Sequence, residues 1–347
     1  MPPPSFRAQR RTTLRGDRQI APEKSGWAVA RDDVPIERRL VAELLEPWAA
    51  GRGISDVVFL RGGLMNRNYR VRVGTDDVVL RFYDRSPHAC AKEIAILRAV
   101  DGVVAAPRVL YAEPHAAPTP FALLEYVDGI SLRELKKRGD LRAMADAAYD
   151  VGRHLAALST VSIDPEVMDV PNIDPALHAG SNVNARLIEH FLDSPVLRRR
   201  ISPTDVDRVL RFAWRREELL TPYADVRSIV HGDLNSPNIL VRDTGSSWRV
   251  AGVIDWEFAF AGHVFYDIGN FLRYERRGCP RFEPAFSRGL ADGGLALPAD
   301  WLSIARVADL GALCELLTRS DVPDNVVAEV HELVLATIDG GYPQQIA

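Results

Sequence analysis

The sequence predicts an α+β fold of two lobes, with a small antiparallel sheet in the first lobe and a larger, mainly helical second lobe. Alternating apolar runs, separated by glycine-rich turns, are confined to residues 57–126. Helical periodicity dominates after a polar, glycine-containing break at residues 126–130. We therefore assign residues 34–127 to the first lobe and residues 128–347 to the second, with a cleft between them that suits a nucleotide.

The first lobe is predicted to begin with an amphipathic helix that leads into the sheet. Apolar residues recur at helical spacing over residues 36–48, and Pro47 marks the end of that helix. Turns at residues 62–66 and 74–77 favour hairpins, and a further helix opens at Ser86-Pro87. The predicted strands lie at residues 57–60, 69–73, 78–83, 108–111 and 121–126.

The second lobe is predicted to be helical around one short hairpin. Ser131 and Glu134 have capping-box spacing at a helix start. A β-like run at residues 228–230 precedes a hairpin between residues 239 and 254. Helical periods recur around residues 140–158, 183–193, 203–219, 299–319 and 324–338.

The most informative motif lies around this hairpin. His231 is followed by Asp233, Asn238 comes five residues later, and Asp255 ends the second apolar run. Phosphoryl transfer needs positioned charge rather than covalent protein chemistry, so Asp233 would accept the proton of an attacking hydroxyl. Asn238 and Asp255 would supply the oxygen ligands that Mg²⁺ favours. The alternative is a loop whose polar residues only cap turns, but the combined spacing favours a site.

These motifs resemble those of the aminoglycoside phosphotransferase and choline kinase family. The resemblance is carried by HGDLNSPNIL at residues 231–240, IDWE at residues 254–257 and YDIGN at residues 266–270, and it extends over roughly residues 55–340. It implies a protein-kinase-like fold and a small-molecule kinase that uses ATP or GTP with Mg²⁺. In that family pattern Asp233 is the catalytic base, and Asn238 and Asp255 bind the metal. His231 then stabilises the loop, and Asp267 is a structural anchor.

The resemblance also assigns nucleotide contacts to the first lobe. Gly62, Gly63 and Asn66 would form a hairpin whose backbone N–H groups face the phosphates. A double glycine between strands more often marks a tight turn alone. Glu125 and Val127 occupy the connection whose backbone groups would receive the adenine.

Arg81 is expected to be the cation that meets the phosphates. In kinase-like folds this cation lies on the third strand and pairs with a glutamate on the next helix, here Glu93. Kinases most familiarly use lysine, so Arg81 is a departure, and an arginine that pairs on the protein surface is the alternative interpretation.

The acceptor is not determined by the sequence. A polycationic aminoglycoside would need acidic side chains, for which the candidates are Glu217, Glu218, Glu257, Asp267 and Glu275. A quaternary amine would need aromatic faces, for which the candidates are Trp214, Trp256, Tyr274 and Trp301. Glu257 and Trp256 either face the acceptor or merely extend the loop after Asp255.

The resulting interpretation is a kinase whose acceptor is an aminoglycoside-like or other hydroxylated antibiotic. A metabolic kinase of choline, ethanolamine or homoserine and a non-catalytic nucleotide-binding module are the alternatives. A protein kinase is disfavoured, because Asp255-Trp256-Glu257 stands where Asp-Phe-Gly would be expected.

The composition excludes several other classes of protein. A net charge of −4 over 347 residues does not favour a nucleic-acid binder, and no apolar stretch reaches the roughly 18 residues of a membrane span. Cys90, Cys279 and Cys314 are spaced singly, which favours a reducing cytoplasm. We expect residues 1–33, rich in arginine, to be a disordered tail and the protein to be a monomer or dimer.

Overall fold

A five-stranded antiparallel sheet and a mainly helical region make up the computed structural model, which describes residues 34–60, 66–163, 181–274 and 279–340. The strand order in the sheet is β1-β2-β3-β5-β4, so the predicted small antiparallel sheet is confirmed. Its elements are α1 (Arg38–Ala49), β1 (Ile54–Leu60), β2 (Arg67–Val73), β3 (Asp76–Phe82), α2 (Pro87–Val100), β4 (Val109–Glu113) and β5 (Phe121–Glu125).

The sheet lies between α1 and α2, and strand alternation decides which side chain meets which helix. On β3, Val78, Leu80 and Phe82 pack with the buried face of α1. The intervening Arg81 and the following Tyr83 therefore point to the opposite face, where Tyr83 joins the core that contains α2. This alternation places the guanidinium of Arg81 between the sheet and α2.

Two connections in this lobe show how the chain turns. Val73 pairs with Asp76, so the β2–β3 hairpin has a two-residue turn in which Gly74 has a φ of +60°. Pro47 does not end α1 as predicted, because the helix continues to Ala49. The predicted connection at residues 62–66 lies outside the described residues except for Asn66.

The second lobe contains the predicted helices and hairpin. Ser131 Oγ accepts the backbone N–H of Glu134 at 3.1 Å, which confirms the predicted cap. The elements are β6 (Ile130–Ser131), α3 (Leu132–Lys137), α4 (Leu141–Leu158), α5 (Val183–Leu192), α6 (Leu197–Arg200), α7 (Pro203–Arg216), β7 (Ser228–Val230), β8 (Ile239–Asp243), β9 (Trp248–Val253), β10 (Phe260–Gly262), α8 (Phe265–Leu272), α9 (Phe282–Asp292), α10 (Trp301–Thr318) and α11 (Asp324–Ile338). Across the described residues, every helix is too short or too polar to pass through a bilayer.

The helix α9 was not predicted, and its contact with α4 explains why it forms. Pro284 lies in its first turn, where proline is tolerated, and Gly289 weakens its local helical preference. A Cβ on Gly289 would lie 2.0 Å from the carbonyl oxygen of Tyr149, and one on Gly152 would lie 2.3 Å from that of Phe286. The two glycines therefore let the backbones of α4 and α9 come into contact. This packing outweighs the low intrinsic helix propensity of the α9 sequence.

Candidate active site

The loop predicted to be catalytic (residues 231–238, called the catalytic loop below) begins where β7 ends and turns sharply at Gly232. Gly232 has a φ of +79°, in the left-handed region that favours glycine. A Cβ at this position would lie 2.5 Å from the carbonyl oxygen of Phe258. Glycine therefore allows the catalytic loop to lie directly against a second loop (residues 254–258), which follows β9.

Asp267, in the first turn of α8, accepts hydrogen bonds from the backbone of the catalytic loop. Its Oδ2 accepts the backbone N–H of His231 at 2.7 Å, and its Oδ1 accepts that of Gly232 at 3.0 Å. The side chain is fully buried. Burial raises the pKa of Asp267 to about 7, although the two backbone donors act in the opposite direction.

His231 is also fully buried and joins the two loops. Its Nδ1 accepts the backbone N–H of Asp233 at 3.2 Å, so its Nε2–H donates to the carbonyl oxygen of Ile254 at 3.1 Å. The ring packs on Trp256 with the centroids 4.6 Å apart. Because both ring nitrogens bond the backbone, His231 positions the loops rather than receiving a proton from a substrate.

Two amide side chains orient the carboxylate of Asp233. Asn235 Nδ2 donates to Asp233 Oδ1. Asn238 Nδ2 donates to Asp233 Oδ2 and to the Asp233 backbone oxygen, both at 3.0 Å. These donors are neutral, so they fix the direction of the carboxylate without neutralising its charge.

The β8–β9 hairpin brings Asn238 next to Asp255. Ile239 pairs with Val253, and the backbone N–H of Ile254 donates to the carbonyl oxygen of Asn238 at 2.9 Å. Asp255 adopts left-handed angles, with a φ of 71°. This conformation is uncommon for a residue other than glycine, and such conformations cluster at functional sites.

The donor set at this point fits Mg²⁺. The amide nitrogen of Asn238 is used by Asp233, so its Oδ1 is the atom left for a cation. Asp255 adds a carboxylate whose side chain is 27% exposed. No group of three or more histidine, cysteine or acidic residues in the described ranges could hold a metal alone. A magnesium ion here would therefore take its other ligands from phosphate and water.

Arg81 lies at the centre of a buried ionic cluster. Its Nη2 is 2.5 Å from Asp255 Oδ1 and 3.8 Å from Glu257 Oε1, and its Nε is 3.1 Å from Glu93 Oε2. Burial opposes the charge of Arg81, but the neighbouring carboxylates raise its pKa well above the ordinary value, and Glu93 has the largest effect among them. Three carboxyl groups face one guanidinium, so the protein supplies more oxygen ligands than cations where a divalent cation would enter.

Glu93 connects α2 to the second loop. Its Oε2 accepts the hydroxyl of Tyr83 at 2.7 Å, and its Oε1 accepts the backbone N–H of Trp256 at 3.2 Å. Burial raises the pKa of Glu93, while Arg81 lowers it. The helix α2 is thereby tied to both the sheet and the loop that carries Asp255.

Glu257 faces both lobes. Its Oε2 accepts the amide nitrogen of Asn66 at 2.9 Å, across 191 residues of sequence. Burial and then the charge of Asp255 raise the pKa of Glu257 to about 8. Asn66, which precedes β2, is therefore hydrogen-bonded to the second loop.

A cavity of about 1270 Å³ opens beside the catalytic loop. Gly232, Glu257 and Phe258 form the wall that it shares with the two loops, and α2, α5, β10, α8, α10 and residues 217–227 also line it. Arg319 also lines it; burial opposes its charge, but Glu315 and then Asp233 raise its pKa. The cavity is large enough for a small molecule.

Comparison with known proteins identifies the family. The model of the phosphotransferase enzyme family, APH, matches residues 56–305, well over half of the chain. The chain belongs to the phosphotransferase enzyme family. Comparison of the sequence with curated proteins gives no match.

Solved structures of aminoglycoside phosphotransferases share this fold. APH(4)-Ia, a thermostable mutant in a ternary complex with ADP and hygromycin B, gives a TM-score of 0.61 at 18% identity, over 87% of this chain and 98% of its own. A putative aminoglycoside phosphotransferase from Ralstonia eutropha gives a TM-score of 0.62 at 18% identity, over 88% of this chain and 97% of its own. The GDP complex of aminoglycoside 2'-phosphotransferase-IIIa gives a TM-score of 0.62 at 18% identity, over 88% of this chain and 100% of its own.

The structure of this phosphotransferase brings together most of the predicted site residues. Asp233, Asn238, Asp255, Arg81 and Glu93 lie at the two loops, as described above. Gly62 and Gly63 lie outside the described residues. The backbone N–H of Glu125 donates to the carbonyl oxygen of Arg108 at 2.9 Å, and Val127 packs against Gly252 of β9.

Two of the three proposed acceptor contacts lie elsewhere in the structure. Trp256 is 1% exposed and its Nε1 donates to the carbonyl oxygen of Val253 at 2.8 Å, so the ring belongs to the core. Tyr274 packs with a second hydrophobic core that α5, α7, α10 and α11 form. Glu257 alone of the three lines the cavity. The sequence alone could not show that the rings of Trp256 and Tyr274 pack in hydrophobic cores, because cores and binding pockets use the same aromatic residues.

Sequence reasoning missed two polar residues that line the cavity, His263 and Asn270. The segment from Tyr266 to Asn270 was recognised only as a helix start. Positions four residues apart share one face of a helix, so this spacing could have placed Tyr266 and Asn270 together. The contribution of His263, which precedes α8, has no comparable sequence signal.

Proposed function

We propose that this phosphotransferase transfers the γ-phosphoryl group of ATP or GTP to a hydroxyl group of a small molecule. The observation that carries the proposal is the arrangement of Asp233, Asn238 and Asp255 on two hydrogen-bonded loops beside a cavity. A base and two oxygen ligands for a cation are the groups that phosphoryl transfer requires. The family match and the fold of the structures with bound ADP and GDP support it.

Asp233 is proposed to act as the general base. Its oriented carboxylate would take the proton of the acceptor hydroxyl as that oxygen bonds to the γ-phosphorus. The bond between the γ-phosphorus and the bridging oxygen breaks, and the nucleoside diphosphate leaves with that oxygen. Mg²⁺, when bound by Asn238 and Asp255, would neutralise charge on the phosphate oxygens.

The first lobe is proposed to position the nucleotide. Arg81 would turn from Asp255 toward the phosphates, with Glu93 still holding its Nε side. Gly62, Gly63 and Asn66 would cover the phosphates, and the backbone near Glu125 and Val127 would receive the base. A guanidinium offers two parallel donors, so Arg81 can bind phosphate oxygens in place of a lysine.

A hydroxylated antibiotic is the proposed class of acceptor. The fold shared with a hygromycin B complex supports this class. The aromatic candidates for a quaternary amine, Trp214, Trp256, Tyr274 and Trp301, do not line the cavity within the described part of the chain, but other aromatic rings do, so choline stays an alternative that the assay below tests.

Release of the nucleoside diphosphate tests the proposal. The wild-type protein would be assayed with Mg²⁺-ATP and Mg²⁺-GTP across aminoglycosides, macrolides, other hydroxylated antibiotics, choline, ethanolamine and homoserine. We expect turnover on at least one acceptor, and a decrease in kcat of about 10²–10⁴-fold for Asp233→Asn. Thermal stabilisation by nucleotide without turnover on any acceptor would support a non-catalytic binding module instead.

A further inference from the structure

The carboxylates that line the described part of the cavity all have hydrogen-bond or ion-pair partners. Five acidic side chains lie in the described part of its wall: Asp193, Glu217, Glu257, Asp309 and Glu315. A polycationic acceptor needs carboxylates that are free to pair with its ammonium groups. The partners of these five side chains therefore determine which acceptors the cavity can bind.

Two of the five carboxylates serve the fold. The oxygens of Glu217 accept the backbone N–H groups of Asn184 at 3.2 Å and Ala185 at 3.0 Å, which caps the start of α5. Asp309 forms a buried two-pronged ion pair with Arg273, at 2.8 and 2.5 Å. Breaking either arrangement to free a carboxylate would leave buried donors without acceptors, at a cost in stability.

The other three carboxylates have nearby side-chain partners. Asp193 pairs with Arg198 at 2.7 Å, and Glu315 pairs with Arg319 at 2.9 Å. Glu257 accepts the amide nitrogen of Asn66 at 2.9 Å. Lys92, Arg227 and Arg319 add positive charge to the wall. An acceptor with several ammonium groups would therefore have to displace existing pairs or lie near like charges.

The inner wall of the cavity instead offers neutral polar groups and aromatic faces. His263 is 6% exposed, and Asn270 is 5% exposed. His263 Nδ1 and Asn270 Oδ1 are buried without a hydrogen-bond partner among the described residues. Burial lowers the pKa of His263 to about 4, so the ring is neutral at physiological pH. A buried polar atom without a partner is costly and is suited to a ligand that supplies one.

An aromatic surface surrounds these groups. The ring of Tyr266 stacks on His263, with the centroids 4.3 Å apart and the planes inclined by 19°. The other aromatic side chains in the cavity wall are Phe191, Tyr223, Phe258 and Phe260. Such a wall gains free energy from burying the apolar face of a ligand, whereas it offers little to a heavily hydrated cation.

We propose that the acceptor is a neutral or singly charged hydroxylated molecule with an extended apolar face, such as a glycoside or a macrocyclic polyol. Hydroxyl groups of this acceptor bond His263 and Asn270, and its apolar face packs on the aromatic wall. A hydroxyl both donates and accepts, so it can satisfy either atom after a small movement of the side chain. This inference rests on the proposed function, since it assigns the cavity to the acceptor.

Direct binding measurements test this acceptor class without requiring turnover. The full-length protein, first titrated with Mg²⁺-AMP-PNP, would be titrated calorimetrically with four probes. Two are neutral or singly charged, 4-nitrophenyl β-glucopyranoside and erythromycin, and two are polycations, hygromycin B and kanamycin. We expect at least one of the first pair to bind at least about tenfold more tightly than either polycation. Equal or tighter binding of a polycation, or no binding of the first pair, would overturn the inference.

Two variants sharpen the test in opposite directions. Asn270→Leu is expected to weaken the preferred probe about tenfold, because it removes the amide that the hydroxyl bonds. Arg319→Met frees Glu315 and is expected to strengthen a polycation about two- to fivefold while leaving the neutral glycoside unimproved. An Arg319→Met protein that gains nothing toward polycations would contradict the role given to paired carboxylates. Failure of the nucleotide titration itself would instead reject the proposed phosphotransferase function.

Discussion

The candidate active site has two ends, the ionic cluster around Arg81 (the phosphoryl end) and the cavity, and they differ in how their acidic side chains are paired. Around Arg81, the carboxylates of Glu93, Asp255 and Glu257 outnumber the single guanidinium. In the cavity, each described carboxylate already has a partner, and buried neutral groups lie at the inner wall. Carboxyl groups that outnumber the protein's own cations thus lie where the proposed metal and triphosphate would bind. Under the proposed function, electrostatic interactions would be concentrated at the phosphoryl end, whereas shape and hydrogen bonding would select the acceptor.

Removing the cation from the phosphoryl end is expected to have the largest effect on stability. Arg81→Met would leave three buried or half-buried carboxylates without their common partner. Because breaking a buried ion pair on one side costs far more than the pair contributes, we expect unfolding free energy to fall by about 3–5 kcal/mol. Chemical denaturation at neutral pH measures this loss. A decrease below about 1 kcal/mol would show that the cluster is effectively solvated.

The buried anchor of the catalytic loop is expected to make stability depend on pH. The pKa of Asp267 is raised in the folded protein to about 7 from an ordinary value of 3.8. Its contribution to stability is therefore fully present below the unfolded pKa and is lost as the pH rises through 7. Relative to Asp267→Asn, which does not titrate, the wild type should lose about 2–3 kcal/mol of unfolding free energy between pH 5 and 7.5. A constant difference between the two proteins across this range would contradict the assignment.

The contact at Gly232 is expected to affect kcat more than acceptor binding. Gly232→Ala places a Cβ 2.5 Å from the carbonyl oxygen of Phe258 in a left-handed conformation. We expect a loss of about 1–3 kcal/mol in stability and at least a tenfold decrease in kcat, because Asp233 is displaced. Gly245→Ala is the matched control, since it has a φ of +84° and no described atom within 4 Å of the added Cβ. Equal loss of kcat in both variants would remove the special role of the loop contact.

The smallest effect is expected at the cavity. The side chains of Arg319 and Glu315 are 38% and 32% exposed. Arg319→Met should therefore lower the unfolding free energy by less than about 1 kcal/mol, in contrast to the same substitution at Arg81. Parallel denaturation curves of the two variants measure the contrast directly. Similar losses would mean that the two ends do not differ in burial of charge.

The phosphoryl end could be predicted from sequence because its information is local. Asp233 and Asn238 lie within one loop, and a single short hairpin brings Asp255 to them. The pairing of Arg81 with Glu93 was expected from the pattern of kinase-like folds, and the two side chains do meet. Helices with strong periodicity, such as α4 and α11, were predicted within a few residues of their observed bounds.

The cavity could not be predicted because its properties depend on distant pairs. Asp309 is paired by Arg273 across 36 residues, and Glu217 by Ala185 across 32. Nothing in the local sequence distinguishes these acids from free ones, so Glu217 was proposed as an acceptor ligand although it caps α5. The sequence left open whether Trp256 faces the acceptor for a related reason, since the burial of its ring depends on His231 and on β9.

The central claim is that Asp255 and Asn238 hold a divalent cation beside a bound triphosphate. The most direct measurement is the affinity for AMP-PNP with and without Mg²⁺, in the wild type and in Asp255→Asn, with Asp233→Asn as the control. We predict that Mg²⁺ tightens binding at least about tenfold in the wild type and in Asp233→Asn, and that Asp255→Asn loses this gain. An Asp255→Asn protein that remains folded and keeps the full gain from Mg²⁺ would contradict the account.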